Sequence, residues 1–336
     1  MEKQTYNNQS RDNTWQAQLA RILTEHSGVA SRRHKIIGNA TKDKRGAVLY
    51  LAFRQLWKDG YAIRNPRNLR ENHIRHLVTK WEKEELSAST LQTRISILRT
   101  YAEWIGKPGM VKASEEYVSD PEKIRRQYVA VEDKSWTTKG VDIEKMLIAV
   151  SAYDRHCAMQ IKIIRAFGLR RQEGVAIKPL RADKGQYLLV TDGTKGGRDR
   201  VVPIETEYQK QVLAEAQALA AENRGFISDR GLNLKQALRR LTYVMERYKI
   251  TKKVVGTTLH GLRHEFANDS LERKGFVSPV RGGQVAVEEK DQEKLARLAV
   301  SEELGHSRES ITTAYYGSRK RAKTKANDGE PIKPTE

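Results

Sequence analysis

A short stretch near the end of the chain, LGHSRESITTAYY, combines the residue types that can attack a phosphodiester bond. It spans residues 304–316 and contains one histidine, His306, and the adjacent tyrosines Tyr315 and Tyr316 among small and polar neighbours. A phenol that attacks a phosphate needs groups that stabilise the charge developing on that phosphate. Cationic or potentially cationic candidates stand upstream at Arg170, Lys195, His260 and Arg263. We therefore expect a site in which a tyrosine attacks a phosphodiester.

The net charge of the chain indicates a polyanionic partner. Lys and Arg number 62 against 42 Asp and Glu among 336 residues, which leaves a formal charge of +20 at pH 7. The basic residues are spread along the whole chain. Such an excess favours nucleic acid as the partner, because each phosphate contact releases condensed counterions. Charge alone leaves open a solvated basic surface or a ribosome-associated protein.

Other features of the sequence bear on where the protein works. No run approaches the ~18 apolar residues of a membrane span, so we expect no membrane partner. The N-terminus, MEKQTYNNQSRDNTW, lacks the apolar core of a secretory signal. Cys157 is the only cysteine, which excludes an intramolecular disulfide and a thiolate zinc cluster. We expect a reduced, cytoplasmic setting.

Periodicity divides the chain into two domains joined by a linker. Residues 1–40 are polar and predict a flexible N-terminal arm, in which the amphipathic residues 15–24 can form a short helix. Residues 41–110 carry apolar positions at three- and four-residue spacing, which predicts a helical bundle. Residues 111–137 have scattered charge and predict a linker. Residues 138–320 predict helices with one β-hairpin around the turn sequence DGTKGGRD, and residues 321–336 predict a polar, disordered tail.

The sequence His260-Gly-Leu-Arg263-His264 places its polar side chains on one face of a predicted helix, because residues three and four apart are neighbours there. Arginine offers a planar fork for two phosphoryl oxygens, and histidine can move a proton near neutral pH. Zinc binding by His260 and His264 is an alternative. However, the glutamate that follows the first histidine in zinc-protease helices is missing, so we predict no metal. A salt-bridged structural face remains the other interpretation.

Together, these candidates resemble the motifs of the tyrosine recombinase, or phage integrase, family, in the family's order and at compatible separations. The motifs are Gly168-Leu169-Arg170 with Glu173 three residues on, Lys195-Gly196 in a hairpin, His260-x-x-Arg263-His264, and Leu304-Gly305-His306-Ser307 with Tyr315 nine positions after the histidine. The resemblance covers residues 138–319, and residues 45–108 are similar, more loosely, to the family's core-binding domain. It implies a mostly α fold with a small antiparallel β-sheet in an α+β catalytic domain. An N-terminal helical-bundle core-binding domain would complete a two-domain clamp on DNA.

The resemblance also implies how the charged residues act on the phosphate. Arg170 and Arg263 would hold the nonbridging oxygens of the scissile phosphate, with His306 as a further donor. His260 would move a proton to or from the nucleophile. Lys195 would protonate the departing 5′ oxygen. No cofactor, ATP or metal is implied.

The nucleophile implied by the resemblance is Tyr315, which would form a 3′-phosphotyrosine link and release a 5′ hydroxyl. Tyr316 is the alternative nucleophile, and the tyrosine that is not used would pack its ring. Glu173 and His264 match positions that support the site without performing the attack.

Several further basic residues are candidates for DNA contacts. Residues 275–291 are longer than this region usually is in the family, and with Arg281 they predict a mobile basic loop that touches DNA. Arg94 and Arg99 stand among the apolar positions of the helical bundle. They predict a basic face on DNA, against the alternative of ordinary solvated faces. The tail after Tyr316 is a candidate for docking on a neighbouring subunit, as such segments commonly do in the family.

The predicted function is site-specific recombination of double-stranded DNA, by which the protein integrates or excises a bacterial mobile element. The resemblance implies a homotetramer on two DNA sites, helped by accessory directionality or DNA-bending proteins. In the cell it would associate with the nucleoid. A DNA-binding protein that has lost catalysis and a type IB topoisomerase are the alternatives, and a basic structural protein is a third.

Overall fold

The computed structural model describes residues 14–26, 28, 37–306 and 308–319 of the chain. Contacts divide the chain into two units, with the boundary between Gln127 and Tyr128. Each unit has its own hydrophobic core. Within the described ranges, no helix is long and apolar enough to cross a membrane.

The N-terminal unit is a bundle of helices, each of which buries one face. Its helices are α1 (Trp15–His26), α2 (Asn39–Lys58), α3 (Glu71–Lys83) and α4 (Ala88–Trp104). Short 3-10 helices follow at Ser114–Tyr117 and Pro121–Ile124. Helix α4 begins where the Ser87 hydroxyl accepts a hydrogen bond from the Thr90 amide. Its apolar stripe, including Leu91, Ile95 and Leu98, is buried as the periodicity predicts.

The segment that we expected to be a linker, residues 111–137, is instead divided between the two cores. Val111, Tyr117 and Ile124 are buried in the N-terminal core, whereas Trp136 is buried in the C-terminal core. These side chains come from turns and 3-10 helices, so they repeat at neither the helical nor the strand period. Periodicity therefore could not reveal that this segment packs.

The expected flexible arm also needs correction where it is described. Helix α1 buries Trp15, Leu19 and Ile22 in the N-terminal core, so this part of residues 1–40 belongs to the bundle. Helix α1 is held in place because the apolar side chains on one of its faces are buried. Residues 1–13 of the arm, and the predicted tail at 321–336, lie outside the described residues.

The C-terminal unit is mostly helical, as predicted. Its helices are α5 (Ile143–Tyr153), α6 (Arg155–Phe167), α7 (Arg171–Ala176), α8 (Pro179–Ala182), α9 (Glu207–Glu222), α10 (Leu234–Arg247), α11 (Lys252–Val255), α12 (Gly261–Arg273), α13 (Lys290–Glu303) and α14 (Thr313–Tyr316). Helix α6 is buried on most sides and packs against α5, α7, α9 and α12. The core therefore supports α7 and α12, which carry most of the candidate site.

The predicted small antiparallel sheet is confirmed as a two-stranded hairpin of β1 (Tyr187–Val190) and β2 (Arg200–Pro203). Val190 pairs with Arg200, and Leu188 pairs with Val202. All four of these residues are buried, so an arginine shares the inward face with aliphatic side chains. Between the strands, glycines with positive φ such as Gly193 (φ +73°) reverse the chain.

Candidate active site

The start of helix α12 brings His260, Arg263 and His264 to one face beside Tyr315. Close packing fixes this helix start: a Cβ on Gly261 would lie 2.9 Å from Trp136 Cδ1. The His264 and His260 rings lie 4.8 Å and 6.0 Å from the Tyr315 ring, centroid to centroid. The arrangement matches the three- and four-residue spacing predicted from the sequence.

Arg170 is held by Glu173 where two helices meet. Gly168 ends α6 in the left-handed conformation (φ +56°), and α7 begins just after Arg170. The Glu173 carboxylate accepts hydrogen bonds from the Arg170 backbone amide and from its guanidinium, both at 2.7 Å. Glu173 is completely buried, so these bonds satisfy a carboxylate that is costly to bury alone. They also fix the direction of the Arg170 side chain.

Arg200 completes this cluster, and sequence reasoning missed it. Its guanidinium donates to the second Glu173 oxygen at 2.6 Å, and its side chain is almost fully buried. Burial, opposed by Glu173, lowers the pKa of Arg200 to about 10, while Arg200 and Arg170 hold the pKa of Glu173 below its ordinary value although burial alone would raise it. One signal was available: alternation in β2 puts Arg200 on the same inward face as Val202.

Three arginines converge on the backbone carbonyls at the C-terminal end of helix α13. Arg200 donates to the carbonyl of Glu303, and both Arg170 and Arg263 donate to the carbonyl of Leu304. These oxygens have no partner within the helix, and the helix dipole favours cations at this end. The carbonyls therefore anchor the arginines, and they also tie the LGH motif to the arginine cluster.

The Tyr315 hydroxyl lies inside this group of charges. It accepts a hydrogen bond from Arg263 Nε at 3.1 Å and lies 3.4 Å from His306 Nε2. Arg263 Nη2 is also 3.5 Å from the same His306 nitrogen. Tyr315 is 5 % exposed and Arg263 is 0 % exposed. The structure thus brings the first candidate nucleophile together with two candidate phosphate-binding groups.

The alternative nucleophile, Tyr316, lies in a different environment. It is fully buried, and within the described part of the chain its hydroxyl has no hydrogen-bond partner. Burial raises the pKa of Tyr316, and the Arg297 guanidinium lies 5.6 Å from its ring centroid. The Tyr315 hydroxyl has a histidine nitrogen within 3.4 Å, whereas the Tyr316 hydroxyl has no such partner among the described residues, so the geometry favours Tyr315.

The three histidines near Tyr315 are neutral at neutral pH. Partial loss of water around the ring, and then the positive charge of Arg263, lowers the pKa of both His260, which is exposed, and the half-buried His306 to about 4. Burial, followed by the charge of His260, lowers the pKa of His264 to about 3. A neutral imidazole can accept a proton or donate one from its other ring nitrogen. Each ring is therefore an uncharged hydrogen-bond partner near pH 7, with one nitrogen that donates and one that accepts.

Lys195 lies in the loop between β1 and β2 and is exposed. Its charge is close enough to the site to contribute to the lowered pKa of His306. The loop is seated against α7, because a Cβ on Gly193 would lie 2.7 Å from the Gln172 carbonyl oxygen. The structure therefore places Lys195 in a loop that packs against α7, near enough to His306 to lower the pKa of that ring.

The candidate DNA contacts of the N-terminal unit have local partners. Arg99 donates to the carbonyls of Val111 and Lys112, which fastens the chain after α4 to that helix. Arg94 lies over the ring of Trp81, 4.9 Å from its centroid. Both side chains therefore contribute to packing, and their role in DNA binding stays a prediction.

Arg281, predicted to lie in a mobile basic loop that touches DNA, has local partners in the structure, and its role in DNA binding stays a prediction. Its guanidinium bonds Asp133 at 2.8 Å, Asp269 at 2.8 Å and Glu272 at 3.0 Å. These carboxylates raise the pKa of Arg281, although burial alone would lower it. The sequence showed the basic residue but not the carboxylates that surround it. Among the described residues, no group of three or more His, Cys, Asp or Glu side chains is arranged to hold a metal.

Two family models match this chain. The family model described as Integrase matches residues 128–269, and the one described as Phage integrase, N-terminal matches residues 31–111. Tyrosine recombinase XerC of Xanthomonas axonopodis is 27 % identical over 218 residues, which cover 62 % of this chain and 67 % of that protein. XerC of Chromobacterium violaceum is 26 % identical over 271 residues, or 78 % and 83 % of the two chains.

Solved structures share the fold. A lambda integrase(75-356) dimer bound to a COC' core site has a TM-score of 0.57 at 13 % identity, covering 95 % of this chain and 98 % of that one. XerH bound to palindromic difH substrate, in a post-cleavage complex, has a TM-score of 0.53 at 16 % identity, with coverage of 94 % and 90 %. These structures show a shared fold. The two integrase family models, which match residues 31–111 and 128–269, agree with the XerC relatives, and the chain belongs to the tyrosine recombinase family.

Proposed function

We propose that this member of a family of site-specific DNA recombinases cleaves and rejoins DNA through a 3′-phosphotyrosine intermediate formed by Tyr315. The observation that carries the proposal is the position of the Tyr315 hydroxyl, 3.1 Å from Arg263 Nε and 3.4 Å from His306 Nε2. A phenol oxygen needs a neighbouring proton acceptor and cationic groups around the phosphate that it attacks. Both kinds of group surround Tyr315.

In the proposed reaction, the Tyr315 oxygen forms a bond to phosphorus while the bond from phosphorus to the 5′ oxygen breaks. The phenol proton passes to a neutral imidazole. His306 Nε2 is the ring nitrogen within hydrogen-bond distance of the hydroxyl, and His260 is the further candidate from the sequence. Lys195 gives a proton to the departing oxygen. The phosphotyrosine bond conserves the energy of the phosphodiester, so rejoining by the 5′ hydroxyl needs no ATP.

Arg170 and Arg263 are proposed to hold the nonbridging oxygens of the phosphate. Arg170 donates to Glu173, and Arg170 and Arg263 both donate to the Leu304 carbonyl. These bonds fix both guanidinium groups in advance, so little reorganisation is needed when charge develops. Arg263 has no exposed surface. A phosphate that binds Arg263 therefore displaces the Tyr315 hydroxyl from Arg263 Nε, and we assign the arrangement described here to the enzyme before it engages DNA.

The wider setting is proposed from the relatives. The XerH and lambda integrase structures contain DNA sites, and the excess of basic residues in this chain suits a duplex DNA partner. We propose integration or excision of a bacterial mobile element as the biological reaction. We further propose that four protomers act on two sites and that both units close around the duplex. Accessory directionality or DNA-bending proteins would assist the reaction.

Matched phenylalanine variants test the proposed nucleophile. Tyr315→Phe should abolish the covalent protein–DNA adduct while leaving DNA affinity within about twofold, because it removes one hydroxyl. Tyr316→Phe should keep the adduct, since its hydroxyl has no partner within the described residues. Retained adduct in Tyr315→Phe would refute the assignment and point to Tyr316. A wild-type protein that binds its DNA specifically yet forms no adduct would indicate a DNA-binding protein without catalysis.

A further inference from the structure

Residues 275–291, which we call the insert, are fastened to the body of the C-terminal unit. The anchor is Arg281, which bonds Asp269 and Glu272 on helix α12 and Asp133 in the segment that precedes Trp136. The Arg281 side chain is only 19 % exposed. Since helix α12 also carries Arg263, the insert is connected to the helix that positions the phosphate-binding arginine.

The other side of the insert holds the chain just after the tyrosines. Arg319 donates to the carbonyl of Gly283 at 2.6 Å and to that of Val277 at 3.4 Å. Its Nε also lies 3.1 Å and 3.0 Å from the two carboxylate oxygens of Glu293 in helix α13. One side chain therefore ties the residues after Tyr316 both to the insert and to α13.

The turn between the tyrosines and Arg319 fits closely into its surroundings. Gly317 has a positive φ of +80°, and a Cβ there would lie 2.9 Å from Val280 Cγ1 and 3.0 Å from the Ala130 carbonyl oxygen. The Ala130 amide also donates to the Thr313 carbonyl at 2.9 Å. The short helix α14 is thus held at its start by Ala130 and at its end by Arg319.

Glu293 links this anchor to the packing of Tyr316. It is 6 % exposed and also bonds Arg297 at 2.8 Å, and Arg297 in turn lies against the Tyr316 ring. Although burial alone would raise the pKa of Glu293, Arg319 and Arg297 hold it below its ordinary value. The carboxylate is therefore charged at neutral pH, and it is shared between the residue after the tyrosines and the residue that covers Tyr316.

We propose that Arg319, held by Glu293 and the insert, is a positioning residue that directs Tyr315 to the scissile phosphate. Arg319 touches no reacting atom. It fixes the C-terminal end of α14, so that Tyr316 packs inward and the Tyr315 hydroxyl faces Arg263 and His306. Because the insert is bonded to α12 through Arg281 and to the chain after the tyrosines through Arg319, it fixes the position of Tyr315 relative to α12. This inference rests on the proposed function, in which Tyr315 is the nucleophile.

The first test compares adduct formation with DNA affinity in the full chain. Arg319→Ala should slow single-turnover adduct formation on a nicked duplex by about tenfold or more at saturating protein, because a displacement near 1 Å can cost ~100-fold in rate. Affinity for the same duplex should change by less than about twofold. Glu293→Gln should reproduce the defect, and Arg319→Lys should recover part of the rate, since it keeps the charge but loses the fork. Equal rates in wild type and Arg319→Ala would overturn the inference.

The matched control is Arg155→Ala, which removes an exposed arginine–glutamate pair (Arg155–Glu222, 3.3 Å) from the same unit. Arg155 begins helix α6, whose other end is at Gly168 beside the site, about 20 Å away along the axis. This variant should cleave at the wild-type rate. If it lost as much rate as Arg319→Ala, the effect would reflect the change in charge, and the inference would fail.

A second readout separates failure of this inference from failure of the proposed function. Amide hydrogen exchange of the free protein should speed up at residues 311–319 in Arg319→Ala and Glu293→Gln, while helix α12 keeps its protection. Unchanged exchange at residues 311–319 would overturn the anchor even if catalysis is normal. If exchange rose equally in α12, Arg319 would have a general structural role, and the inference would be overturned. A wild-type protein without adduct would refute the proposed function, and the exchange result would still decide whether Arg319 anchors α14.

Discussion

Replacing Arg200 should cost the C-terminal unit far more stability than replacing an exposed arginine. Arg200 is 5 % exposed, its partner Glu173 is 0 % exposed, and their charged atoms lie 2.6 Å apart. Removing one partner of a buried ion pair costs about 3–5 kcal/mol, because the other charge is left uncompensated. Arg200→Met keeps the aliphatic stem. We expect a loss near the lower end, about 3 kcal/mol, since Arg170 still donates to Glu173 at 2.7 Å.

A double-mutant cycle measures this coupling directly. Arg200→Met, Glu173→Gln and the double variant would be compared by urea unfolding followed by pulse proteolysis, which reports the two units as separate bands. The double variant should be more stable, by at least about 1 kcal/mol, than the sum of the single effects predicts. Arg155→Met, which breaks an exposed pair, should lose less than about 1 kcal/mol. Single effects that add within about 0.5 kcal/mol would refute the coupled pair.

Three further predictions concern backbone conformation, pH and salt. Gly305→Ala should lower the melting temperature more than Gly275→Ala does. Both residues have positive φ (+66° and +90°), but of the two only a Cβ on Gly305 would meet another group, Arg200 Cδ at 2.7 Å. Equal losses of melting temperature, measured by circular dichroism, would contradict this. The free energy of unfolding should fall as pH drops from 6.5 towards about 3, because the unfolded chain protonates its histidine before the buried His264 does. His264→Gln should remove up to about 5 kcal/mol of that dependence, and an unchanged pH profile in urea titrations would count against it. DNA affinity should fall steeply as salt rises, because a basic chain binds largely through phosphates, and a flat response in filter binding would exclude that mode.

The sequence correctly predicted that residues far apart in the chain lie in one site when those residues belonged to short motifs of histidine, arginine and tyrosine. His260, Arg263 and His264 could be assigned to one helical face from their spacing alone. Arg170 and Tyr315 were candidates for one site from their residue types, and the order of the motifs, which resembles that of a known family, gave each of them a role. The structure brings these residues together around the end of helix α13.

What could not be predicted depends on partners that are remote in sequence. Arg281 was interpreted as a DNA contact because its basic charge was visible, whereas its partners Asp133 and Asp269 come from other elements. Arg200 was passed over because an arginine in a strand is usually exposed, and its bonds to Glu173 and to the Glu303 carbonyl explain its burial. In the expected linker, residues 111–137, turns rather than regular elements supply the buried side chains. Periodicity in the sequence detects the buried faces of helices and strands, but it does not detect contacts between side chains that are far apart in the chain.

The most direct test of the account is to trap the covalent intermediate and identify the linked residue. The protein would be incubated with a nicked attachment-site duplex, without metal or ATP, and the denaturant-resistant adduct would be digested and mapped by mass spectrometry. We predict a DNA-linked peptide whose modified residue is Tyr315. Linkage at Tyr316, or no adduct on a duplex that the protein binds specifically, would contradict the account.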